Sequence, residues 1–531
     1  MADTKREIER KYEAAAGDEL PDLTGVAGVS AVIDRGLADL DATYYDTPDQ
    51  RLAASLITLR RRTGGDDAGW HLKLPVADDV RDEVHAPLSD TVPPYLSGLV
   101  RSRVRDAELV PVVRLRSARD IRHLVDADGT LLAEVSLDRV RAERLSGGTG
   151  TAEWTEIEVE LADDGDPAFL DKVDRKLRKA GVSRSSARSK LARALEETGK
   201  RRKPAAARKE KAAARNGKAN DKGKANANPK ANANDKAKEK APVTAGDHVL
   251  AYVRAQREAV VELDPAVRRD VFDSVHAMRV ATRRLRSTFR SYGKVLDRGV
   301  TDPIADELKW LAGELGVDRD QEVLTERLTT AVSELPRPLV SGPVQGRLRT
   351  WSNARRGGSR RGLIAVLDGK RYLDLLVALD AVVADPPLLE AAAGDPSKVI
   401  AGAVRKDFRK VAELVGRALD LPPGQDRDVA IHEARKKAKR TRYAAEAAAP
   451  ALGKPAEALV KSMKSLQTLL GEHQDSVMAR IALRELSDQA HAAGENTFTY
   501  GVLYGREEQR AAAAEAALPA LWRAVEGETE V

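Results

Sequence analysis

The sequence predicts an α+β multidomain protein: an N-terminal eight-stranded antiparallel β tunnel or barrel with helices, and a C-terminal all-α domain of two pseudo-symmetric helical bundles. The first observation is length, because 531 residues are too many for one ordinary core. The second is periodicity. Charged side chains alternate along the N-terminal part, which is typical of strands, whereas apolar positions recur every three to four residues after about residue 245, which is typical of helices. The third is an internal repeat in the helical part, which predicts two related halves.

The composition limits the function classes. Hydrophobic residues make up 42% of the chain, but no run of 18 apolar residues occurs, so no membrane-spanning helix and no membrane partner are predicted. The absence of cysteine excludes disulfides, thiolate nucleophiles and thiolate metal sites. The N-terminus lacks the apolar segment of a secretory signal, so a cytoplasmic protein is expected.

A basic segment divides the chain. Residues 199–245 are predicted to be a disordered linker between domains at 1–198 and 246–525, because they contain almost no core-forming side chains. Residues 200–240 hold 15 Lys/Arg against 4 Asp/Glu, a net charge of +11, so the remaining chain carries about −5 of the total +6. The linker is either a solvated spacer or a loose attractor of polyanions. Anion binding in the folded parts must therefore come from local clustering of charge.

Charged side chains alternate in the predicted strands. In Glu-Ile-Glu-Arg-Lys at residues 7–11, the three charged side chains at every second position share one strand face. The pattern recurs at Arg60 and Arg62, His71 and Lys73, Arg81 and Glu83, Arg114 and Arg116, Ser136 and Asp138, and Glu156, Glu158 and Glu160. Each run alone fits the solvated face of an antiparallel strand.

The whole set favours a different interpretation. The terminal strands are rich in carboxylates and the middle strands in Arg and Lys. About eight strands closed into a barrel with these faces inward would bury both clusters, which is costly unless they are paired or bind a charged ligand. A triphosphate with a divalent cation satisfies both, because Arg and Lys bind phosphate oxygens and carboxylates bind hard cations.

These motifs, in this order, resemble the CYTH family, also called triphosphate tunnel metalloenzymes. The opening motif resembles the ExExK signature, and the resemblance covers about residues 5–195. It rests on Glu7-Ile-Glu9-Arg-Lys11, Tyr44-Tyr45-Asp46-Thr47-Pro48, Leu-Arg-Arg-Arg at 59–62, Leu72-Lys73 and Glu-Ile-Glu-Val-Glu-Leu at 156–161. The family comprises class IV adenylate cyclases, thiamine triphosphatases and inorganic triphosphatases, in which an eight-stranded tunnel binds a triphosphate.

The resemblance implies roles for individual residues. The metal carboxylates would be Glu7, Glu9, Glu156 and Glu158, with Glu160 in the same phase. The phosphate would be held by Lys11, Arg60, Arg62, Lys73, Arg114 and Arg116, and by Lys190, which weakly matches a lysine on a closing helix. Lys11, Glu83 and Asp138 would be catalytic positions, and Mg²⁺ or Mn²⁺ the cofactor. Because no Ser-His-Asp or Cys-His arrangement is visible, direct attack by water is expected, oriented or activated by a second metal or by Lys11.

The helical half contains two motifs, each present twice. The first begins at Val275 and again at Ile431, and the second places Asp320 and Asp475 in Leu-Gly-x-x-x-Asp. The first motif matches His276, Arg279, Arg283, Arg284 and Arg286 to His432, Arg435, Lys439, Arg440 and Arg442, each 156 residues later, and its second copy adds Lys436. Two unrelated motifs at nearly one offset predict two halves related by a pseudo-two-fold axis.

Each copy of the first motif places a basic stripe on one helix face. His276, Arg279, Arg283 and Arg286 stand at steps of 3, 4 and 3, as do His432, Arg435, Lys439 and Arg442. The stripes are either solvated faces, or faces neutralised by Asp320 and Asp475, or, as we favour, a basic groove that concentrates positive potential. The two histidines are interpreted as phosphate donors or helix-orienting groups.

These repeats resemble the CHAD domain, a helical module often fused to CYTH domains, over about residues 245–525. The resemblance implies binding of inorganic polyphosphate, without chemistry of its own. Aromatic residues make up only 4% of the chain, so the groove lacks the stacking platforms typical of single-stranded nucleic acid binding. Nucleic acid is therefore a less favoured partner than polyphosphate.

Together, these patterns predict metal-dependent hydrolysis of an inorganic or organic triphosphate, with tripolyphosphate favoured, and polyphosphate binding by the helical domain. Three alternatives stay open: a non-catalytic polyphosphate-binding protein, a class IV-type adenylate cyclase and a nucleic-acid-binding protein. Association with polyphosphate granules in the cytoplasm is expected.

Overall fold

The structure is a computed structural model that describes residues 3–15, 17–199, 242–356 and 359–528. The chain divides into two compact units, Met1–Asn232 and Ala233–Val531. Most of the predicted linker, 199–245, lies outside the described residues. In the described part, no helix has an apolar stretch long enough to cross a membrane.

The N-terminal unit is a closed antiparallel barrel, which confirms the predicted tunnel. Its strand order is β1-β5-β4-β3-β2-β6-β7-β8, and β8 pairs with β1 to close it. The strands are β1 (Asp3–Ala14), β2 (Ala31–Asp46), β3 (Thr58–Thr63), β4 (Gly69–Ala77), β5 (Val80–Ala86), β6 (Val110–Val125), β7 (Leu131–Arg144) and β8 (Thr151–Leu161). The helices of this unit are α1 (Arg51–Ala54), α2 (Pro94–Val104), α3 (Ala168–Lys179) and α4 (Lys190–Gly199).

Strand β8 shows how the sequence makes a charged interior. Ile157 and Val159 are buried on the outer face, where they pack with apolar residues of α3. Glu156 and Glu158, in the opposite phase, are also buried and face the inside of the barrel. The strand is thus covered on both faces, and its carboxylates are withdrawn from bulk water.

Helix α4 covers one end of the barrel interior. Leu191 and Ala194 pack with interior apolar residues, among them Leu115 of β6 and Trp154 of β8. The interior is therefore apolar at this end and charged along the remaining length.

In its described residues, the C-terminal unit is built from α-helices joined by loops and two short 3-10 helices, as predicted. The α-helices are α5 (Ala245–Arg268), α6 (Ser274–Ser291), α7 (Arg298–Glu314), α8 (Val317–Ser333), α9 (Val344–Arg356), α10 (Ser359–Asp368), α11 (Lys370–Ala384), α12 (Pro396–Asp420), α13 (Gln425–Leu452), α14 (Lys454–Ala492) and α15 (Phe498–Glu528). Helix α13 contacts α6, α12 and α14 through small buried residues such as Ala434, Ala438 and Ala444. Small side chains let neighbouring helices approach closely.

Helices α6 and α13 carry the two copies of the first motif and contact each other reciprocally. Arg284 donates to Glu446 at 2.9 Å, and Arg440 donates to the carbonyl oxygen of Arg290 at 2.9 Å. Arg440 lies 156 residues after Arg284, and Glu446 lies 156 residues after Arg290. The repeat thus exchanges the two contacts, as a pseudo-two-fold axis requires.

Candidate active site and anion-binding surface

A cavity of about 430 Å³ lies inside the barrel. Most of its lining residues are ionisable, and both signs of charge are present. The eight cationic residues are Lys5, Lys11, Arg60, Arg62, Lys73, Arg81, Arg119 and Lys190, and the seven carboxylates are Glu7, Glu9, Asp67, Glu83, Glu134, Glu158 and Glu160. The remaining five are Tyr44, Thr58, His71, His85 and Ser189.

Three buried carboxylates form a cluster at one wall. One oxygen each of Asp138, Glu156 and Glu158 lies within 4.8 Å of the others. The Lys190 ammonium reaches all three, at 2.9, 2.9 and 2.5 Å respectively. Arg119 also donates to Asp138 at 2.7 Å and to Glu158 at 2.9 Å. Burial by itself raises the pKa of Asp138, but Lys190 and Arg119 outweigh it and hold that pKa below its usual value.

The opening strand adds two carboxylates with different pKa values. Burial and a hydrogen bond with Glu83 raise the pKa of Glu7 to about 8, against the attraction of Lys73. Burial also disfavours ionised Glu9, but Lys11 and Lys73 lower its pKa to about 2. Glu7 therefore holds its proton more strongly than Glu9 does.

Several arginines lie close together at one wall of the cavity. Arg60 lies 3.6 Å from Glu83, and Arg62 contacts Asp67. Burial, together with the positive charges of Arg60 and Arg119, lowers the pKa of Arg62 to about 9. Crowded guanidinium groups of this kind are stabilised by an anion with several oxygens.

The carboxylates fit a divalent cation. They offer only hard oxygen donors, and the oxygens of Asp138, Glu156 and Glu158 already converge. Glu9 and Glu160 are direct cross-strand neighbours, an arrangement of like charges that a cation between them would stabilise. The barrel thus brings together all five predicted metal carboxylates and also Lys11, Arg60, Arg62, Lys73, Glu83, Asp138 and Lys190.

Arg114 and Arg116 are a correction to the sequence interpretation, because they do not face the cavity. They lie on the outer face of β6, where they pair with Asp41 of β2 at 2.5 and 3.5 Å, and their side chains are 39% and 55% exposed. The inward phase of β6 runs through Leu115 to Arg119. Sequence reasoning missed Arg119 because the other inward-facing residues of β6 near α4 are apolar. The only sequence signal was that Arg119 lies three residues after Arg116, and therefore on the opposite face of the strand.

Two further lining residues belong to the alternating runs noted in the sequence, where they were assigned no role. His71 lies between Glu83, at 3.0 Å, and the carbonyl oxygen of Asp67, at 2.9 Å, and burial lowers its pKa to about 4. Arg81 lies 3.8 Å from Glu9. Both alternate with residues that the sequence interpretation did include.

In the helical unit, the two basic stripes meet at Lys439. Burial is the largest cause that lowers the pKa of Lys439, and Arg435 and Arg283 lower it further, to about 8, against the opposite effect of Asp475. Arg279 acts in the same direction. Arginines from both copies of the repeat therefore act on the same lysine, as expected if the two stripes line one groove.

The repeated glycines explain why the two motifs recur together. The guanidinium of Arg279 packs on Gly316 so closely that a Cβ atom there would lie 2.5 Å from its Nη2 atom. Arg435 packs on Gly471 in the same way, at 3.0 Å. The Leu-Gly motif therefore makes room for the arginine of the first motif in each half.

The other predicted stripe residues lie in different surroundings. Arg284 and Arg442 flank the ring of Tyr443 and pair with Glu446. Arg440 pairs with buried Asp407 at 3.1 Å. Each of these three cations has a carboxylate partner, but Arg284 and Arg442 share Glu446.

The remaining members are more peripheral. Lys436 pairs with Glu433 at 2.7 Å, and His276 is exposed. Burial lowers the pKa of Arg286 and of His432. The side chain of Asp320 lies outside the described residues.

Comparisons with known proteins find one protein family for each of the two units. The family model described as CYTH domain matches residues 5–195, and the one described as CHAD domain matches residues 251–484. Uncharacterized proteins from two strains of Mycobacterium tuberculosis are 38% identical over 518 residues, which covers 94% of this chain and 92% of theirs. The relatives therefore span both units.

Solved structures that match part of the chain include a Streptomyces protein and a plant domain. PptA from Streptomyces chartreusis is 21% identical, with a TM-score of 0.45, over 53% of this chain and 99% of that one. The CHAD domain from the plant Ricinus communis is 22% identical, with a TM-score of 0.41, over 54% of this chain and 93% of that one.

Proposed function

We propose that this chain, which belongs to the family of proteins that join a CYTH domain to a CHAD domain, hydrolyses a triphosphate in its barrel and binds inorganic polyphosphate through its helical unit. Tripolyphosphate is the favoured substrate. One observation carries the first part: a single cavity lined by eight cationic residues and seven carboxylates. A polyanion bound with a divalent metal is the ligand class that stabilises both sets.

The cavity lining favours an inorganic over an organic triphosphate. Fifteen of its twenty residues are charged, and the others offer one tyrosine, two histidines and two hydroxyl side chains. Ligand sites for organic groups are usually lined mostly by apolar and aromatic side chains. Nothing in the described lining forms such a wall for a purine or a thiazole.

Mg²⁺ or Mn²⁺ would be held by Glu7, Glu9, Glu156, Glu158 and Glu160. When bound, the metal would neutralise charge on the phosphate oxygens and lower the pKa of a bound water.

The cationic residues would hold the substrate. Arg60, Arg62, Lys73 and Arg119 line the cavity and would bind the non-bridging phosphate oxygens, with Lys190 at the acidic wall. Contacts with Glu158 and Glu9 hold the pKa of Lys11 above its usual value despite burial, so Lys11 stays an ammonium. It would therefore orient the attacking water or a phosphate oxygen and not remove a proton.

The test is phosphate release by the purified full chain from tripolyphosphate, ATP and thiamine triphosphate, each with Mg²⁺ or Mn²⁺. We expect the highest kcat/KM with tripolyphosphate. Binding of tripolyphosphate without phosphate release would identify a non-catalytic protein, and conversion of ATP to its cyclic monophosphate would identify a cyclase.

Two matched variants assign the activity to the barrel. Glu9→Gln removes an ionised interior carboxylate and should abolish turnover, with partial rescue by excess metal. Glu153→Gln makes the same change at an exposed position of β8 and should leave the rate unchanged. Equal rates in the two variants would contradict the assignment of the opening strand.

Polyphosphate binding by the helical unit rests on the convergence of Arg283, Arg435 and Lys439. Affinity for long polyphosphate should fall steeply with salt, because counterions are released when polyanions bind. The double variant Arg283→Glu/Lys439→Glu should lose most of this affinity. Equal displacement of polyphosphate by duplex DNA would instead identify a general polyanion site. A chain that binds long polyphosphate is expected to associate with polyphosphate granules.

A further inference from the structure

A second cavity, of about 610 Å³, lies in the helical unit beside the contact between α6 and α13. It is lined by seven cationic and four carboxylate side chains from α6, α7, α12 and α13. None of its lining residues is aromatic or apolar. Of the predicted polyphosphate residues, only Arg440 belongs to this lining, so the cavity is not the meeting point of the stripes.

The four carboxylates are already paired. Buried Asp407 accepts from Lys437 at 2.7 Å, from Arg440 at 3.1 Å and from the hydroxyl of Ser291 at 2.5 Å. The others pair as Asp302 with Arg298, Glu413 with Lys410 and Asp306 with Arg290, at 2.7, 2.6 and 3.9 Å. Within the described part of the chain, the two remaining cations, Lys406 and Arg409, form no ion pair.

The cations therefore exceed what the protein itself neutralises. Burial is the largest cause that lowers the pKa of Lys437, and Arg440 and Lys406 lower it further, against its ion pair with Asp407. Like charges that face one cavity repel each other unless an anion lies between them.

The repeat does not produce this cavity. Ala281, which is buried, stands 156 residues before Lys437, and Arg284 stands 156 residues before Arg440. At the pseudo-symmetric contact, Arg284 pairs with Glu446 at 2.9 Å, and Arg442 contacts the same carboxylate at 3.7 Å. The position of Lys437 thus has no cationic counterpart in the first copy of the motif.

We propose that this cavity is a binding site for a short phosphate oxyanion (orthophosphate, pyrophosphate or tripolyphosphate), separate from the surface where the stripes meet. Several arginines line it, and guanidinium groups bind phosphate oxygens bidentately. The absence of apolar and aromatic lining disfavours a nucleotide or another organic ligand. The site does not depend on hydrolysis in the barrel.

The experiment maps lysine reactivity in the full chain at pH 8, with an amine-reactive reagent and fragmentation mass spectrometry. A bound anion raises the pKa of a neighbouring lysine and slows its labelling about tenfold for each pKa unit. We expect orthophosphate and tripolyphosphate to protect Lys437, whereas sodium chloride at equal ionic strength does not. Lys439 serves in the same spectra as the reporter of the stripe surface.

Two charge reversals separate the sites. Arg409→Glu, at an exposed cavity position, should remove protection of Lys437 and leave protection of Lys439 by long polyphosphate. Arg283→Glu should do the opposite, and Lys461→Glu, an exposed change on α14, should do neither. The barrel variant Glu9→Gln should keep the protection of Lys437, so failure of the proposed hydrolysis and failure of this site are distinguishable.

Three results would overturn the proposal. One is protection of Lys437 by chloride at equal ionic strength, and another is protection that persists in Arg409→Glu. The third is protection by long polyphosphate alone, which would make the cavity an extension of the stripe surface.

Discussion

Replacement of Lys190 by methionine tests how the acidic wall of the barrel is stabilised. The Lys190 side chain is 9% exposed and its ammonium touches three buried carboxylates, so the variant removes a cation that contacts all three. Breaking a buried ion pair costs about 3–5 kcal/mol. Arg119 and Lys11 still compensate Asp138 and Glu158, which places the expected loss near the lower limit, about 3 kcal/mol. For a domain of this size, that corresponds to a Tm lower by about 6–12 °C.

The pH dependence of the stability lost in the Lys190 variant tests whether this loss is electrostatic. Lys190 and Arg119 hold the pKa of Asp138 below its unfolded value of 3.8, so this carboxylate contributes stability above that pH, which is lost as pH falls through the folded pKa. The variant lacks much of this contribution. Its deficit should therefore keep its full size from pH 7 down to about pH 4 and should shrink only as pH falls below 3.8.

The assay is scanning calorimetry of the full chain with a chelator, at pH 7 and pH 3, with Lys172→Met on the exposed face of α3 as the matched control. Added Mg²⁺ should restore part of the lost stability, because it supplies positive charge to the same oxygens. A Tm equal to that of the parent at pH 7, or a deficit of the same size at both pH values, would refute this reasoning.

Three further variants or measurements test the remaining structural assignments. Arg119→Gln should lower kcat/KM for tripolyphosphate by about 100-fold, whereas Arg116→Gln on the outer face should leave it unchanged; similar losses would return Arg116 to the site. Gly316→Ala should displace the buried guanidinium of Arg279 and weaken long-polyphosphate binding about tenfold, or ~1.4 kcal/mol. Gly313→Ala, which has open space around the added Cβ atom, should leave binding unchanged. Equal Kd values for the two variants would contradict the packing argument. Polyphosphate binding at pH 8 should be accompanied by uptake of about half a proton at Lys439, because the pKa of Lys439 without ligand is about 8; at pH 6 no uptake is expected. Calorimetry in two buffers of different ionisation enthalpy measures the proton uptake. A binding enthalpy that is independent of the buffer at pH 8 would contradict this prediction.

The strand pattern predicted the barrel interior wherever charge alternates in only one phase. In β8, carboxylates occupy one phase and apolar residues the other, so the inward face is unambiguous. In β6, Arg114 and Arg116 alternate equally well, but Asp41 of the neighbouring strand neutralises them outside. The pairing of Arg119 opposite Asp138 depends on the register between β6 and β7, which local sequence does not encode.

Long-range placement also explains why the importance of Lys190 was hard to predict. Its signal in the sequence is one lysine after β8, at the start of a short helix. Its position depends on Leu191 and Ala194, which dock on apolar residues at the end of the barrel. The helix contacts that insert its ammonium among three carboxylates are tertiary, so no local spacing indicates them.

In the helical half, the repeat predicted which helices face each other but not which cations remain available to a ligand. Arg442 has Glu446 four residues later on its own helix, a partner that the sequence does show. Arg435 is packed on Gly471, and Lys439 feels the positive charges of Arg435 and Arg283 from both copies of the motif. Cations that face other cations gain more when a polyanion binds than those held closely by carboxylates, which must first give up a partner. The repeat therefore duplicates the fold and the stripe, while the distribution of Asp and Glu around it determines where the stripe can bind phosphate.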